Sequence, residues 1–277
     1  MLGFMIIYEF LSCDIICNDC RYGHSATVIG SKMFVFGGMG KGGDLYRDLH
    51  SLDLISWEWA DVRAITASPT PRFNHGCCGI GNKIVVQGGW DGGETAYNDL
   101  WVFDTSSFSW TQPRTAGFAP SPRYGHSLTF IPSTGQVVVF GGACFDEEVG
   151  CLTYLDDVKI LDSSSMIWSR PSLSGKTPSP RFMHSACLVE GERIVISGGW
   201  GRGGVQAKGE STDPSAYPLS VLDLSSSKWR VPKRSVKRRV PNRYGHEVVT
   251  IAENLCMMFG GFDGKQAVNS LLVLEFS

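Results

Sequence analysis

Short apolar runs bounded by polar and glycine residues recur along the whole chain. The run Lys32–Phe36 is typical, and it closes in the glycine pair Gly37-Gly38. Four later runs close in the same way, at Gln87-Gly88-Gly89, Phe140-Gly141-Gly142, Ser197-Gly198-Gly199 and Phe259-Gly260-Gly261. Runs this short, without a helical period of useful length, are typical of β-strands. The pattern therefore predicts an all-β protein with many turns.

A second pattern, Arg–aromatic–any residue–His or a close variant, precedes each of these runs. It starts at residues 21, 72, 123, 181 and 243, so successive starts are 51, 51, 58 and 62 residues apart. A further apolar run such as Tyr97–Asp104 follows each glycine pair, and four repeats then show a tryptophan, at Trp59, Trp110, Trp168 and Trp229. Each repeat therefore predicts four short strands, a to d, which bear the His, the glycine pair, the Asp and the Trp respectively.

These residues resemble the kelch repeat, and the resemblance covers nearly the whole chain. It implies a kelch-type β-propeller in which each repeat forms one four-stranded blade, five blades in all. The chain is accordingly expected to be a single domain over residues 1–277.

The ends of the chain predict how the ring closes. The strand-d tryptophan precedes the next arginine by 13 residues in three cases and by 14 in one, and counting 13 back from Arg21 reaches Tyr8. The last repeat stops at residues 271–276, a strand c with no strand d after it. Residues 5–11 are therefore predicted to complete the last blade and to remove the unpaired edges of an open ring. The alternative is a truncated propeller of six or seven blades.

Composition indicates which classes of partner and which cellular compartment to expect. A formal net charge of −2 gives no general reason to expect nucleic acid, and no run reaches the roughly 20 apolar residues of a membrane helix. Nine cysteines, an odd number, fit reduced thiols in an intracellular protein. We expect a monomer in the cytoplasm, with the nucleus as the alternative compartment, and neither a membrane nor a nucleic acid as partner.

The apparent cofactor motifs are explained by the repeat. Residues 38–43 and 199–204 satisfy G-x-G-x-x-G, but a strand c rather than a helix follows the first match, so no dinucleotide cofactor is expected. Five of the six histidines share one repeat position, which indicates architecture rather than catalysis or metal binding. The cysteines at 13, 17 and 20 have iron–sulfur-like spacing, but we interpret them as thiols in a connection. Neither a catalytic residue nor a metal site is predicted.

Strand order places the candidate binding residues. Because Arg starts strand a and the glycine pair ends strand b, the d–a and b–c connections lie at one end of the blade, here called the d–a/b–c loop face. Residues 143–151 and 200–218 are expected to enlarge two b–c loops, and seven of the twelve residues 228–239 are basic. Loops on a rigid scaffold commonly carry binding residues.

The predicted function is non-enzymatic binding of a protein or peptide segment, expected to be acidic, at this face. In kelch-type substrate receptors, which the chain resembles, the arginine of strand a often contacts an acidic ligand. The matching positions are Arg21, Arg72, Arg123, Arg181 and Arg243, and the alternative is that each arginine only ties its own blade together. Residues after the glycine pairs are the candidates for specificity: Trp90, Asp91, Trp200, Arg202, Phe262 and Asp263. The basic segment adds Lys237, Arg238 and Arg239, for which the alternatives are a merely solvated loop and a nuclear-targeting or nucleic-acid-contacting segment. Two other functions stay open, a scaffold that binds actin or chromatin-type assemblies through the blade sides, and a propeller enzyme with its site at the same face.

Overall fold

The computed structural model describes residues 20–146, 151–201, 219–232, 240 and 242–276. These residues form β-strands, turns and loops without a helix, so none of them belongs to a helix able to cross a membrane. They group into two compact units, one ending at Tyr124 and the other starting at Gly125. The prediction of a single domain over residues 1–277 stays a prediction.

The unit that ends at Tyr124 contains the first two blades. Strand order is a-b-c-d in both, with antiparallel neighbours: β2-β3-β5-β6 in blade one and β7-β8-β9-β10 in blade two. The strands of this unit are β1 (Arg21–Tyr22), β2 (Ser25–Ile29), β3 (Lys32–Phe36), β4 (Met39–Gly40), β5 (Leu49–Asp53), β6 (Trp59–Asp61), β7 (Gly76–Ile80), β8 (Lys83–Trp90), β9 (Ala96–Asp104), β10 (Ser109–Thr111) and β11 (Ala116–Gly117).

The unit that starts at Gly125 contains the other three blades. Blade three is β12-β13-β14-β15, blade four is β17-β18-β19-β20, and blade five shows the three strands β21-β22-β23. The strands are β12 (Ser127–Ile131), β13 (Gln136–Asp146), β14 (Cys151–Asp162), β15 (Ile167–Ser169), β16 (Ser174–Gly175), β17 (Ser185–Val189), β18 (Arg193–Ser197), β19 (Leu219–Asp223), β20 (Lys228–Arg230), β21 (Glu247–Ala252), β22 (Leu255–Phe259) and β23 (Leu271–Glu275). The predicted five-bladed, all-β propeller is confirmed, and the predicted closing strand over residues 5–11 lies outside the described residues.

Apolar side chains of neighbouring blades form the cores. Between blades one and two, Phe36 and Phe103 pack on the strand-d tryptophan Trp110, with ring centroids 5.0 and 5.1 Å from its own. Phe140 and Trp229 meet in the same way between blades three and four, at 5.2 Å. The tryptophan of one repeat therefore fills the core against the preceding blade.

The region after the glycine pair of blade three differs from its sequence-based prediction. Residues 143–151 were expected to form an enlarged loop. Instead, β13 continues to Asp146 and β14 begins at Cys151, with Ala143 opposite Tyr154 and Phe145 opposite Leu152. Alternating cross-strand pairs extend the hairpin, so a loop was the wrong prediction for the described part of this segment.

The glycine pair of each blade allows a close backbone approach. Gly89 has φ +104°, and a Cβ there would lie 2.9 Å from the Cβ of His75. We expect Gly89→Ala to lower the free energy of unfolding by about 2–3 kcal/mol, because it combines a backbone conformation that disfavours side chains with a steric overlap. Urea unfolding measures this cost.

Gly81→Ala is the matched control for that substitution. Gly81 also has a positive φ, +58°, but a Cβ there meets nothing within 4 Å. Its cost should be only the left-handed backbone term of about 1 kcal/mol. Equal costs for the two substitutions would contradict a role for the contact with His75.

Candidate functional site

The repeated arginines lie inside their blades. The Arg72 residue is 0% exposed, and its Nη1 donates to the carbonyl of Gly88 at 2.9 Å. Its guanidinium also forms a bidentate pair with Asp99, at 2.6 and 2.9 Å. One side chain thus joins the start of strand a to the end of strand b and the start of strand c.

The other arginines repeat these contacts with small variations. Nη1 donates to a glycine carbonyl at 2.8–3.1 Å from Arg21 to Gly37, from Arg181 to Gly198 and from Arg243 to Gly260. Arg21 also pairs with Asp48, and Arg243 donates to Ser270. Arg123 is 1% exposed and donates Nε to the carbonyl of Ser121.

These contacts leave the guanidinium groups little surface for a ligand. Burial lowers the pKa of Arg181 to about 10, so its guanidinium still carries its charge at neutral pH. The geometry favours the alternative in which each arginine ties its own blade together.

The repeated histidines join neighbouring blades. Nε2 of His75 lies 2.8 Å from Oγ of Ser25 in blade one, and Nε2 of His184 lies 3.0 Å from Oγ of Ser127 in blade three. His246 makes the same kind of bond to Ser197, at 3.1 Å. Burial lowers the pKa of His75, His184 and His246 to about 3, so their rings are neutral near pH 7. For these three histidines, the bonds between blades favour the architectural interpretation.

Trp90 lies in a row of aromatic rings in the unit that ends at Tyr124. Its ring stacks on Tyr124 at 4.9 Å and 15°, and on its other side lies Phe73 at 5.3 Å. Tyr22 extends the row with an edge contact to Phe73 at 5.9 Å. Trp90 is half-buried and donates Nε1 to the carbonyl of Gly93, so its side chain is held in place with part of its ring accessible.

Trp200 and Phe262 lie in a similar row in the other unit. Tyr244 separates them, with its ring 5.2 Å from Trp200 and 5.5 Å from Phe262. All three side chains are half-buried. A single-residue antiparallel bridge pairs Tyr244 with Phe262. Tyr244, which follows the repeat arginine, therefore holds Phe262, which follows the glycine pair, in place.

The two candidate aspartates shape the b–c loops. Oδ1 of Asp91 accepts the backbone N–H groups of Gly93 and Thr95 at 2.8 and 3.0 Å. Oδ1 of Asp263 accepts those of Lys265 and Gln266, both at 2.8 Å, and these bonds lower the pKa of the Asp263 carboxyl. Each carboxylate thereby fixes the loop that follows its aromatic neighbour.

Four of the candidate partner-binding residues lie outside the residues that the structure describes. They are Arg202, Lys237, Arg238 and Arg239. Their predicted role in partner binding stays a prediction.

Sequence reasoning missed Tyr22 as a candidate binding residue. Its side chain is 51% exposed at the end of the first aromatic row. The signal was present in the repeat, because every strand-a arginine is followed directly by an aromatic residue.

Comparison with known proteins identifies the repeats. The family model of the KLHDC2/KLHL20/DRC7 Kelch-repeats domain matches residues 14–199 and, in a second overlapping match, residues 97–277. The chain belongs to the kelch-repeat family. The kelch resemblance of the sequence is thereby confirmed.

Several longer proteins contain a similar kelch region. The chain is 34% identical to acyl-CoA-binding domain-containing protein 4 of Arabidopsis thaliana over 93% of its own length and 37% of that protein. It is 31% identical to host cell factor of Drosophila melanogaster, over 91% of the chain and 18% of the relative. For human host cell factor 2 the identity is 30%, over 89% and 34%. The chain thus spans well under half of each of these relatives.

Proposed function

We propose that the chain is a non-enzymatic interaction module that binds a protein or peptide segment at the d–a/b–c loop face of its blades. Trp90, Trp200 and Phe262 are the proposed apolar anchors. The observation that carries the proposal is that each unit has its own aromatic row, in which half-buried rings are held by neighbouring rings. Kelch repeats are the scaffold of these rows.

The aromatic rows suit recognition for two physical reasons. Large aromatic side chains supply much contact area and are enriched among the residues that dominate binding energy. A ring already fixed by its neighbours also loses little conformational entropy when a partner covers it. The Asp91 and Asp263 turns support the proposal in the same way, because they fix the loops beside the anchors.

The preference for an acidic partner rests on charge. The buried arginines contribute positive potential behind the loop face, although their donors are largely occupied within the blades. Arg202 and the basic segment with Lys237, Arg238 and Arg239 would supply direct ion pairs. Neutralising Arg239 with its basic neighbours should then reduce the association rate and its salt dependence; an unchanged salt dependence would contradict this role.

Substitution of the anchors tests the proposal. We expect Trp90→Ala with Trp200→Ala to weaken partner binding by about a thousandfold, because each removes an aromatic anchor worth on the order of 2 kcal/mol, or about thirtyfold in the dissociation constant. Partners are first captured with the wild-type chain from an extract, and their dissociation constants are then measured by interferometry for both proteins.

Trp57→Ala is the matched control. Trp57 is 50% exposed and lies in the c–d turn at the opposite end of blade one, where it is remote from the proposed face. Partners that bind the anchor variant and the control variant equally well would overturn the proposal and direct attention to the blade sides.

A further inference from the structure

A polar cleft of about 380 Å³ lies at the edge of blade one, outside the aromatic row. It is lined by His50 of strand c and by Arg47, which precedes that strand, and by Asp61 at the end of strand d and Arg63, which follows it. The hydroxyl-bearing residue Ser68 completes its polar wall from the d–a connection. The cleft therefore opens at the d–a/b–c loop face.

His50 lies between two carboxylates in this cleft. Its Nε2 is 2.9 Å from Oδ2 of Asp48, and its Nδ1 is 2.9 Å from Oδ1 of Asp61. Nε2 is hydrogen-bonded to Asp48, whereas Nδ1 is buried and lies within ion-pair distance of Asp61 without a hydrogen bond to another of the described residues. The hydrogen bond to Asp48 raises the pKa of His50, which favours its protonated form.

The carboxylates are already neutralised. Asp48 forms a bidentate pair with Arg21, at 2.6 and 3.0 Å, in addition to its bond with His50. Burial alone would raise the pKa of Asp48, but the hydrogen bonds from His50 and Arg21 hold it well below its usual value. Asp61 faces the imidazolium.

Two cations in the cleft are left for a ligand. Arg47 and Arg63 are exposed, and neither forms an ion pair with another of the described residues. With His50 protonated, four cationic groups (Arg21, Arg47, His50 and Arg63) stand against the two carboxylates. Removal of the His50 proton lowers this excess from two positive charges to one.

The other blades show that this arrangement is not a requirement of the fold. Cross-strand register places Trp101 of blade two, Lys159 of blade three, Ser220 of blade four and Leu272 of blade five at the position of His50. In blade two, Trp101 donates Nε1 to Asp99, the counterpart of Asp48. A tryptophan can therefore supply the hydrogen bond to the aspartate of strand c. The histidine of blade one supplies the same bond and adds a charge that depends on pH.

We propose that this cleft binds an anionic group, a carboxylate or a phosphoryl group, carried by the partner segment, and that binding strengthens when His50 is protonated. Arg47 and Arg63 would donate charge-assisted hydrogen bonds to the anion, for which the planar guanidinium is well suited. His50 would act on the ligand through the net charge of the cleft. The inference extends the proposed function, because it names the chemistry recognised beside the aromatic anchors.

Binding of synthetic peptides to the full chain tests the proposal. The probes are an acetylated hexaglutamate, a phosphoserine peptide of equal length, inorganic phosphate and, as the neutral reference, hexaglutamine. We expect Arg47→Gln/Arg63→Gln to weaken binding of the anionic peptides by about tenfold or more, since two charge-assisted bonds are lost. Arg114→Gln/Arg170→Gln removes the same charge elsewhere and should leave binding nearly unchanged.

The pH response provides a second readout. Wild-type affinity for hexaglutamate should fall by about fivefold as the pH rises through the raised pKa of His50, which lies above the ordinary value of 6.5. His50→Gln should abolish this difference. Asp61→Asn removes one carboxylate that favours the imidazolium, so it should shift the midpoint of the response to lower pH while Asp48 and Arg21 keep their pair. Circular dichroism and urea unfolding check the fold of each variant.

The outcomes distinguish a carboxylate from a phosphoryl ligand. They also distinguish failure of the cleft proposal from failure of the aromatic-face proposal. Binding of hexaglutamate identifies a carboxylate ligand, and binding of only the phosphoserine peptide identifies a phosphoryl ligand; inorganic phosphate shows whether the anion suffices alone. Equal binding by the cleft variant and its charge-matched control, or no pH response in the wild type, would overturn the cleft proposal. The aromatic-face proposal fails separately, when natural partners survive loss of Trp90 and Trp200.

Discussion

Acidification from about pH 7 to about pH 5 is expected to lower the free energy of unfolding by about 2 kcal/mol for each buried repeat histidine, or about 6 kcal/mol for three. His75, His184 and His246 have folded-state pKa values of about 3, against an ordinary value of 6.5. Between those two values the unfolded chain binds the protons and the folded chain does not, so stability falls as the pH falls. The cause is burial of an imidazole that would lose hydration on becoming charged.

His50 contributes with the opposite sign. Its pKa is raised in the folded state, so its stabilising contribution is fully present below its unfolded pKa and is lost as the pH rises through the folded value. It therefore offsets part of the acid effect. The carboxylate of Asp48, with a lowered pKa, loses its contribution only in more acidic solution than this window.

Urea unfolding at intervals of half a pH unit measures the effect, with tryptophan fluorescence as the signal. His184→Gln provides the comparison, because an amide can still bond Ser127 but does not titrate. The variant should show a slope of stability against pH that is smaller by about one proton, or about 1.4 kcal/mol per pH unit below pH 6. Identical slopes for variant and wild type would show that burial does not depress the pKa of this histidine.

Arg72→Met is expected to lower the free energy of unfolding by about 3–5 kcal/mol, since breaking a buried ion pair leaves its partner uncompensated. Four groups lose a donor: the carboxylate of Asp99, the carbonyl of Gly88, and the carbonyl and the hydroxyl of Thr70. The stacking of the guanidinium on Tyr97, at 4.4 Å, is lost as well. Urea unfolding measures the cost, and the exposed Arg170, replaced by Met, should change stability by less than about 0.5 kcal/mol.

A double-mutant cycle measures how much the Arg72–Asp99 ion pair itself contributes to the free energy of unfolding. Combined with Asp99→Asn, the Arg72→Met substitution should cost less than the sum of the two single changes, with an interaction energy on the order of 1–3 kcal/mol. If Arg72→Met instead left the fold intact and removed partner binding, the arginine would belong to the recognition surface rather than to the blade interior. The stability cycle and the binding measurement together therefore decide between the two roles considered for Arg72.

The strand arrangement was predictable because repetition multiplies a weak signal. One glycine pair after one apolar run indicates little, but five in the same order, each preceded by Arg and His, specify strands a and b of a blade. The long hairpin of β13 and β14 escaped prediction because its extra residues have no counterpart in the other repeats. Only the cross-strand register, Phe145 opposite Leu152, reveals that they pair.

The direction of the arginine side chains was harder to predict. Strand order places Arg72 at the d–a/b–c loop face, and whether its guanidinium points to a ligand or inward depends on a partner 27 residues later, Asp99. The same spacing joins Arg21 to Asp48 and Arg243 to Ser270. The signal was therefore in the sequence, but it is visible only once strand c is known to lie beside the arginine.

The His–Ser bonds between blades have a consequence for how such a chain can grow by gene duplication. In blade two, the Arg72 guanidinium bonds Gly88 and Asp99 of its own repeat, and His75 reaches back to Ser25 of blade one. A duplicated repeat would carry the arginine bonds that hold its own blade together. It would also carry the histidine that bonds the preceding blade. A new blade would therefore bring its stabilising contacts with it. The loops would not have to supply these contacts, so their sequences could diverge by mutation.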